Sequence, residues 1–314
     1  MKFLVTGGAG FIGSNLVDRI VNEGHSVIVY DNFDEYYHGK EANLHEIKGS
    51  PLLSIVRKDV LQFDSLYECV KKCDYVIHLA AQPGVRYSLE NPHKTNEINT
   101  AGTLNVLEAA VRAHPHRFIF ASSSSVYGPR KGPAREDDPT CPLSVYGASK
   151  LAGENYCLTY KRAYGLPVTI LRFHTVYGRR QRPDMAIAKW FEILEKGGRP
   201  VVYGDGQQRR DFTYVDDIVS GVWSAVNSER ANGEIINLGS GASVRVMDVL
   251  QVIANLTEVQ LDPTFEKARE DEPPETFADL TKASRLLDYS PRVPIARGIA
   301  LYNEWRQINR KSNT

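Results

Sequence analysis

The stretch KFLVTGGAGFIGSNLVDRIVNEG, residues 2–24, decides how this chain has to fold. KFLVT is a short apolar run, and FIGSNLVDRIVNEG carries apolar residues at helical spacing before ending at Gly24. Between them GGAGFIG places Gly7, Gly10 and Gly13. Glycine there lets the backbone turn tightly and approach a pyrophosphate, whose charge the helix N-terminus favours. A glycine triplet alone is a weak signal, because tight turns also use glycine. Its context decides: strand before, helix after, and Asp31 at the end of the next apolar run, SVIVYD, 18 residues past Gly13. A carboxylate at that place accepts hydrogen bonds from an adenosine ribose and repels a 2′-phosphate, so the segment predicts an NAD rather than an NADP site.

Outward from this loop the pattern repeats. LLSIVRKD, DYVIHLAA, RFIFASS and LPVTILRF read as further buried strands, with INTAGTLNVLEAAVRA as a helix before RFIFASS. Strands alternating with helices predict an α/β fold, a doubly wound parallel (Rossmann) sheet. After about residue 175 short strands (PVVYG, EIINLG, PTFEK) mix with the helices VDDIVSGVWSAVN and VRVMDVLQVIANL. We read residues 1–175 as the nucleotide-binding domain. Residues 176–314 form a smaller mixed α/β lobe, some segments of which return to the large domain. The ligand belongs in the crevice between them, at the carboxyl ends of the strands.

The 314 residues hold 38 Lys plus Arg against 38 Asp plus Glu, so no net field points to nucleic acid or to an anionic membrane. No apolar run reaches the roughly 20 residues of a membrane span, and the N-terminus lacks a signal-peptide pattern. Cys69, Cys73, Cys141 and Cys157 read as reduced thiols of a cytoplasmic protein. No spacing suggests a metal site.

Two further motifs carry chemistry: SSSSVYG at 122–128, following a buried strand, and SVYGASK at 144–150. Tyr146 and Lys150 stand i, i+4, so on a helix both reach one ligand. A free tyrosine is a poor base near neutrality, with a pKa of about 10. A nearby ammonium and an oxidised nicotinamide both favour its phenolate, which can then take a proton from a substrate hydroxyl as hydride leaves the same carbon. With its GxxGxxG loop, the chain resembles the short-chain dehydrogenase/reductase superfamily. By that resemblance Ser123, Tyr146 and Lys150 are the catalytic triad. The cofactor contacts are Gly7, Gly10, Phe11, Ile12, Gly13, Asp31, Asn32, Asp59, Val60, Ala80, Ala81 and Asn99, together with Tyr146 and Lys150.

GGAGFIG, DN at 31–32, SSSSVYG, YGASK, GDGQQRRDFTYVDDIV and INLGSG together resemble the extended, nucleotide-sugar-modifying branch of that superfamily. The resemblance implies NAD as cofactor, a UDP-sugar as substrate, and a homodimer formed through helices at about 97–112 and 147–164. It assigns Arg210 and Arg269 to the diphosphate and Tyr203 to the uracil, and puts Ser124 and Ser125 against the sugar. Arginine suits the diphosphate because its planar fork binds phosphate oxygens in pairs. Dehydratases and decarboxylases of this branch carry an acid immediately before VYG; here that residue is Ser125, which favours 4-epimerisation through a 4-keto sugar. LRFHTVYGRRQRPDMA (171–186) and QPGVRYSLENP (82–92), with Arg86, resemble UDP-glucuronate 4-epimerases. Thr175 and Arg182 are then placed to hold a C6 carboxylate. His174 stands where these enzymes have an aromatic residue, and RRQ replaces their PWG. The alternatives are a UDP-glucose/UDP-galactose or N-acetylhexosamine 4-epimerase and, from another class, a non-catalytic NAD-binding regulator, which typically lacks the Tyr or the Lys.

Overall fold

The computed structural model describes residues 1–269 and 273–311. Six strands, β1 (Lys2–Thr6), β2 (Ser26–Asp31), β3 (Leu53–Arg57), β4 (Tyr75–His78), β5 (Arg117–Ser123) and β6 (Val168–Phe173), are joined by a seventh, Ile235–Leu238. They form one sheet in the order Ile235–Leu238, β6, β5, β4, β1, β2, β3, and every pairing is parallel. The order reverses between β1 and β4, which opens a crevice beyond their carboxyl ends. The expected parallel α/β sheet is therefore present.

The helices are α1 (Phe11–Asn22), α2 (Phe63–Val70), α3 (Val85–Glu90), α4 (Pro92–Asn96), α5 (Gly102–Ala113), α6 (Val145–Tyr164), α7 (Ala186–Glu195), α8 (Val215–Asn227), α9 (Val246–Leu256), α10 (Thr281–Leu287) and α11 (Ile295–Lys311). A π-helical turn, Glu97–Ala101, links α4 to α5. Alternation along β1 sorts the two faces of the sheet. Phe3 and Val5 join a core with Leu16, Ile20, Ile218 and Val222, whereas Leu4 joins one with Val106, Phe118, Phe120 and Cys157. Both faces being covered, β5 is buried along its whole length, and its centre, FIFA, is a continuous apolar run.

EIINLG does not belong to the C-terminal lobe, as its position suggested. Its strand pairs with β6 at the sheet edge, because β6 offers an unpaired parallel edge that a buried IINL can complete. The smaller strands lie elsewhere: Val201–Tyr203 beside Thr264–Glu266, and Arg209–Arg210 between Val244–Arg245 and Glu275–Thr276.

One buried chain of hydrogen bonds fixes the crevice wall. Thr103 donates to the Asn99 carbonyl at 2.6 Å, so its oxygen must accept from Nε2 of His78 at 3.0 Å. Nδ1 of His78 then accepts from Thr6 at 2.7 Å, and Thr6 accepts from the Ala80 amide at 3.2 Å. Hydrogen-bond accounting thus sets the tautomer, and the ends of β1 and β4 are tied to α5.

Candidate active site

A cavity of about 270 Å³ occupies the crevice, running from the glycine loop to the end of β5. At one end α1 sits against the loop so closely that a Cβ on Gly13 would lie 2.1 Å from the Gly7 carbonyl oxygen. Asp31 is buried and shapes the same loop: its carboxylate accepts from the Ala9 amide at 3.0 Å and the Phe33 amide at 2.8 Å. Burial pushes this carboxyl up, opposed by those hydrogen bonds and by the Lys40 charge. The Asn32 amide donates to Asp59 at 2.7 Å, and Val60, Ala80 and Ala81 complete this wall. A glycine cradle at a helix N-terminus with a carboxylate at the end of β2 fits a dinucleotide.

At the other end α6 is held by two serines. Ser144 caps it, accepting from the Gly147 amide at 3.1 Å, and Ser88 accepts from the Tyr146 amide at 3.0 Å. Tyr146, Lys150 and Ser123 all line the cavity. Lys150 Nζ donates to the Ala121 carbonyl at 2.8 Å, and burial lowers it to about 8. That bond anchors the ammonium to β5 and leaves its other two N–H donors for the cavity. Burial pushes the Tyr146 phenol up, while a hydrogen bond with Ser123 and then the Arg182 charge pull it down. Arg182 adds a cation on the Tyr146 side of the cavity, which Lys150 also lines. Arg182 uses its Nε and Nη2 on Asp184, at 2.9 and 3.2 Å, and Asp184 also accepts from Tyr36 at 3.1 Å.

The remaining sequence-derived candidates fall outside the cavity lining. Arg86 and Arg269 converge on one ring, with guanidinium carbons 4.7 and 5.4 Å from the centroid of Tyr203. Arg210 donates to the Arg209 carbonyl at 2.9 Å. Ser124 and Ser125 form a 3-10 turn whose Ser125 amide donates to Ser123 at 3.1 Å. Thr175 opens the strand Thr175–Tyr177. Asn99 spends its side chain on both backbone groups of Gln82, at 2.7 and 3.1 Å, and on Ser149 at 2.9 Å, so it supports the wall from behind. Tyr36, Tyr37, Lys40, Gln82, His174 and Met185 also line the cavity and were not assigned to it from the sequence. The first three lie in DEYYHGK, an aperiodic loop directly after Asp31 and Asn32; that adjacency is the signal that would have found them.

A glycine-cradled dinucleotide cleft ending in a Ser, Tyr and Lys group defines an NAD-dependent enzyme that moves protons and hydride at a carbon bearing a hydroxyl. Residues 3–239 match the model of the NAD dependent epimerase/dehydratase family, and the chain belongs to that family. The crystal structure of a Bacillus cereus UDP-glucuronic acid 4-epimerase in complex with UDP-glucuronic acid and NAD superposes with a TM-score of 0.94 at 36% identity, covering 98% of this chain and 100% of that one. A protein of Bacillus subtilis (strain 168) described as an uncharacterized UDP-glucose epimerase is 37% identical over 303 residues, 95% of this chain and 96% of its own. A UDP-glucuronate 4-epimerase of Thermodesulfobacterium geofontis is 34% identical over 313 residues, 98% and 96% of the two chains.

Proposed function

We propose that this protein is a UDP-sugar 4-epimerase that interconverts UDP-glucuronate and UDP-galacturonate. The observation that carries the reading is Arg182 reaching the same cavity as Ser123, Tyr146 and Lys150. It brings a cation beside the proton-handling phenol, with one guanidinium edge fixed by Asp184. NAD, when bound, supplies the acceptor and donor for the C4 hydride. The chain supplies the rest: Tyr146 takes the proton of the 4-hydroxyl and returns it to the inverted alcohol, Ser123 holds that oxygen, and Arg182 with Thr175 receives the C6 carboxylate. Ser125, in place of an acid before VYG, supports epimerisation over loss of water or CO₂. Arg86, Tyr203 and Arg269, stacked together, support a site for the base and diphosphate.

The test is incubation with a panel of UDP-sugars scored by NMR for inversion at C4. A charged hydrogen bond is worth about 1.5–3 kcal/mol, so Arg182→Leu is expected to lower kcat/KM for UDP-glucuronate at least roughly tenfold and leave NAD binding intact. Efficient inversion of UDP-glucose with none of UDP-glucuronate would replace this reading by a neutral UDP-hexose 4-epimerase. The Asp184 carboxylate on Arg182 favours that second reading, because it already offsets the charge.

A homodimer fits the same reading, since α5 and α6 pack side by side on one face of the sheet; sedimentation analysis checks it. Cys69, Cys73 and Cys157 are buried free thiols, which supports a reducing, cytoplasmic setting. Among the described residues no helix is long and apolar enough to cross a membrane.

A further inference from the structure

His174 directly follows β6, where its amide donates to the Leu238 carbonyl at 2.9 Å. Its side chain is buried, 4% exposed, and lines the cavity. Neither ring nitrogen makes a hydrogen bond of good geometry, although the Asn237 side chain lies near enough to favour the protonated ring. Among the described residues, no other buried side-chain polar atom without a partner belongs to a residue lining this cavity. An acidic neighbour, Asp211, stands 3.9 Å from Nδ1 and is already occupied. One of its oxygens accepts from the Gly241 and Ala278 amides, and the other from Thr213 and Ser240. Folding therefore gains little from the imidazole that an aromatic hydrocarbon ring would not supply, and it bears the cost of a poorly met donor and acceptor.

The charge state fixes what the ring offers. Burial lowers its affinity for a proton; Asp211 and a side-chain interaction with Asn237 oppose that, and Arg172 and Arg130 add to it. A neutral imidazole presents one N–H donor and one bare acceptor nitrogen. His174 follows Phe173 of β6, which pairs with Ser123 of β5, and β5, β4 and β1 lie between β6 and β2, whose end carries Asp31. A dinucleotide with its adenosine at Asp31 brings its nicotinamide to the β6 side. A primary carboxamide carries the reciprocal pair, a carbonyl acceptor and an amide donor.

We propose that the bare nitrogen of the His174 imidazole accepts a hydrogen bond from the carboxamide NH2 of the bound nicotinamide and holds that ring in place from the β6 side. This goes beyond the proposed sugar specificity and does not depend on which UDP-sugar is turned over.

The test compares nucleotide-free wild type, His174→Phe and His174→Gln by calorimetric titration with three probes. These are NAD, its 3-acetylpyridine analogue (a methyl ketone in place of the carboxamide) and ADP-ribose. The wild type is expected to prefer NAD over the acetyl analogue by about 3–10-fold. In His174→Phe that preference should collapse toward one while ADP-ribose affinity is unchanged, and His174→Gln should restore part of it. Equal losses for NAD and ADP-ribose in His174→Phe would make the histidine structural and overturn the proposal. An unchanged NAD-to-analogue ratio would also overturn it, and if the UDP-sugar KM alone then rose, the imidazole would face the sugar instead.

Discussion

At Tyr146 the environment works against the charge that catalysis needs: burial raises the phenol, and only Ser123 and Arg182 pull it back. Tyr146→Phe keeps the ring and deletes the proton carrier. Turnover is expected to fall roughly 10²–10⁴-fold while NAD binding and the unfolding transition stay near wild type; near-normal turnover in a folded variant would remove Tyr146 from the mechanism. His78 shows the converse economy. Burial takes it from the ordinary imidazole value near 6.5 to about 3, so the fold holds it neutral. Because the folded value is depressed, the unfolded chain binds the extra proton between those limits. The contribution is complete above the unfolded pKa and is lost as pH falls toward the folded one. At pH 5 the loss is about 2 kcal/mol. Urea melts at pH 7 and pH 5 should show that loss in the wild type and not in His78→Asn; equal losses in both would sink the assignment.

The helix α6 delivers Tyr146 and Lys150 because it can lie almost on β5. A Cβ on Gly147 would meet the Ser125 carbonyl oxygen at 2.5 Å, and one on Gly153 would meet the Phe120 ring at 2.4 Å. The two positions should separate function from stability. Gly147→Ala pushes the first turn away from the serine loop, and a misplacement near 1 Å can cost about 10²-fold in rate, so turnover should drop at least tenfold. Gly153→Ala overpacks the core and should cost about 1–3 kcal/mol of stability with a smaller effect on rate, as thermal melts and initial rates will show. The strands and the YGASK helix were legible in the sequence because period and motif are local. The lysine's backbone anchor was not: the bond to the Ala121 carbonyl depends on how far the helix settles into the sheet. Arg182 could be found by motif, but its pairing with Asp184 and Tyr36 joins segments 148 residues apart at the widest, which no local pattern encodes.

Across the whole molecule one buried ion pair links the pieces that make the site. Arg172 on β6 grips Glu154 on α6 at 2.7 and 2.9 Å, and Glu154 also accepts from Ser122 on β5. The Arg172 guanidinium lies 4.6 Å over Tyr127, whose hydroxyl donates at 2.8 Å to Asn237 on the seventh strand. Arg172→Met strands a buried carboxylate and should destabilise the protein by about 3–5 kcal/mol, whereas the double variant with Glu154→Leu should recover much of that loss. Denaturant titrations of the three proteins decide it, and a double variant no better than the single would contradict the account. The edge strand behind this network was misassigned from the sequence because IINL carries no sign of which sheet it completes.

That late-arriving strand governs how the protein can be born. Once β6 leaves the ribosome, its outer rim of N–H and C=O groups has no neighbour until Ile235–Leu238 is made, 62 residues after Phe173 to Ile235. At about 5–20 residues per second the nascent sheet spends roughly 3–12 s with an adhesive flank exposed. Sibling polypeptides on one messenger meet each other in that interval, so slow translation between these two segments should favour clumping over correct closure.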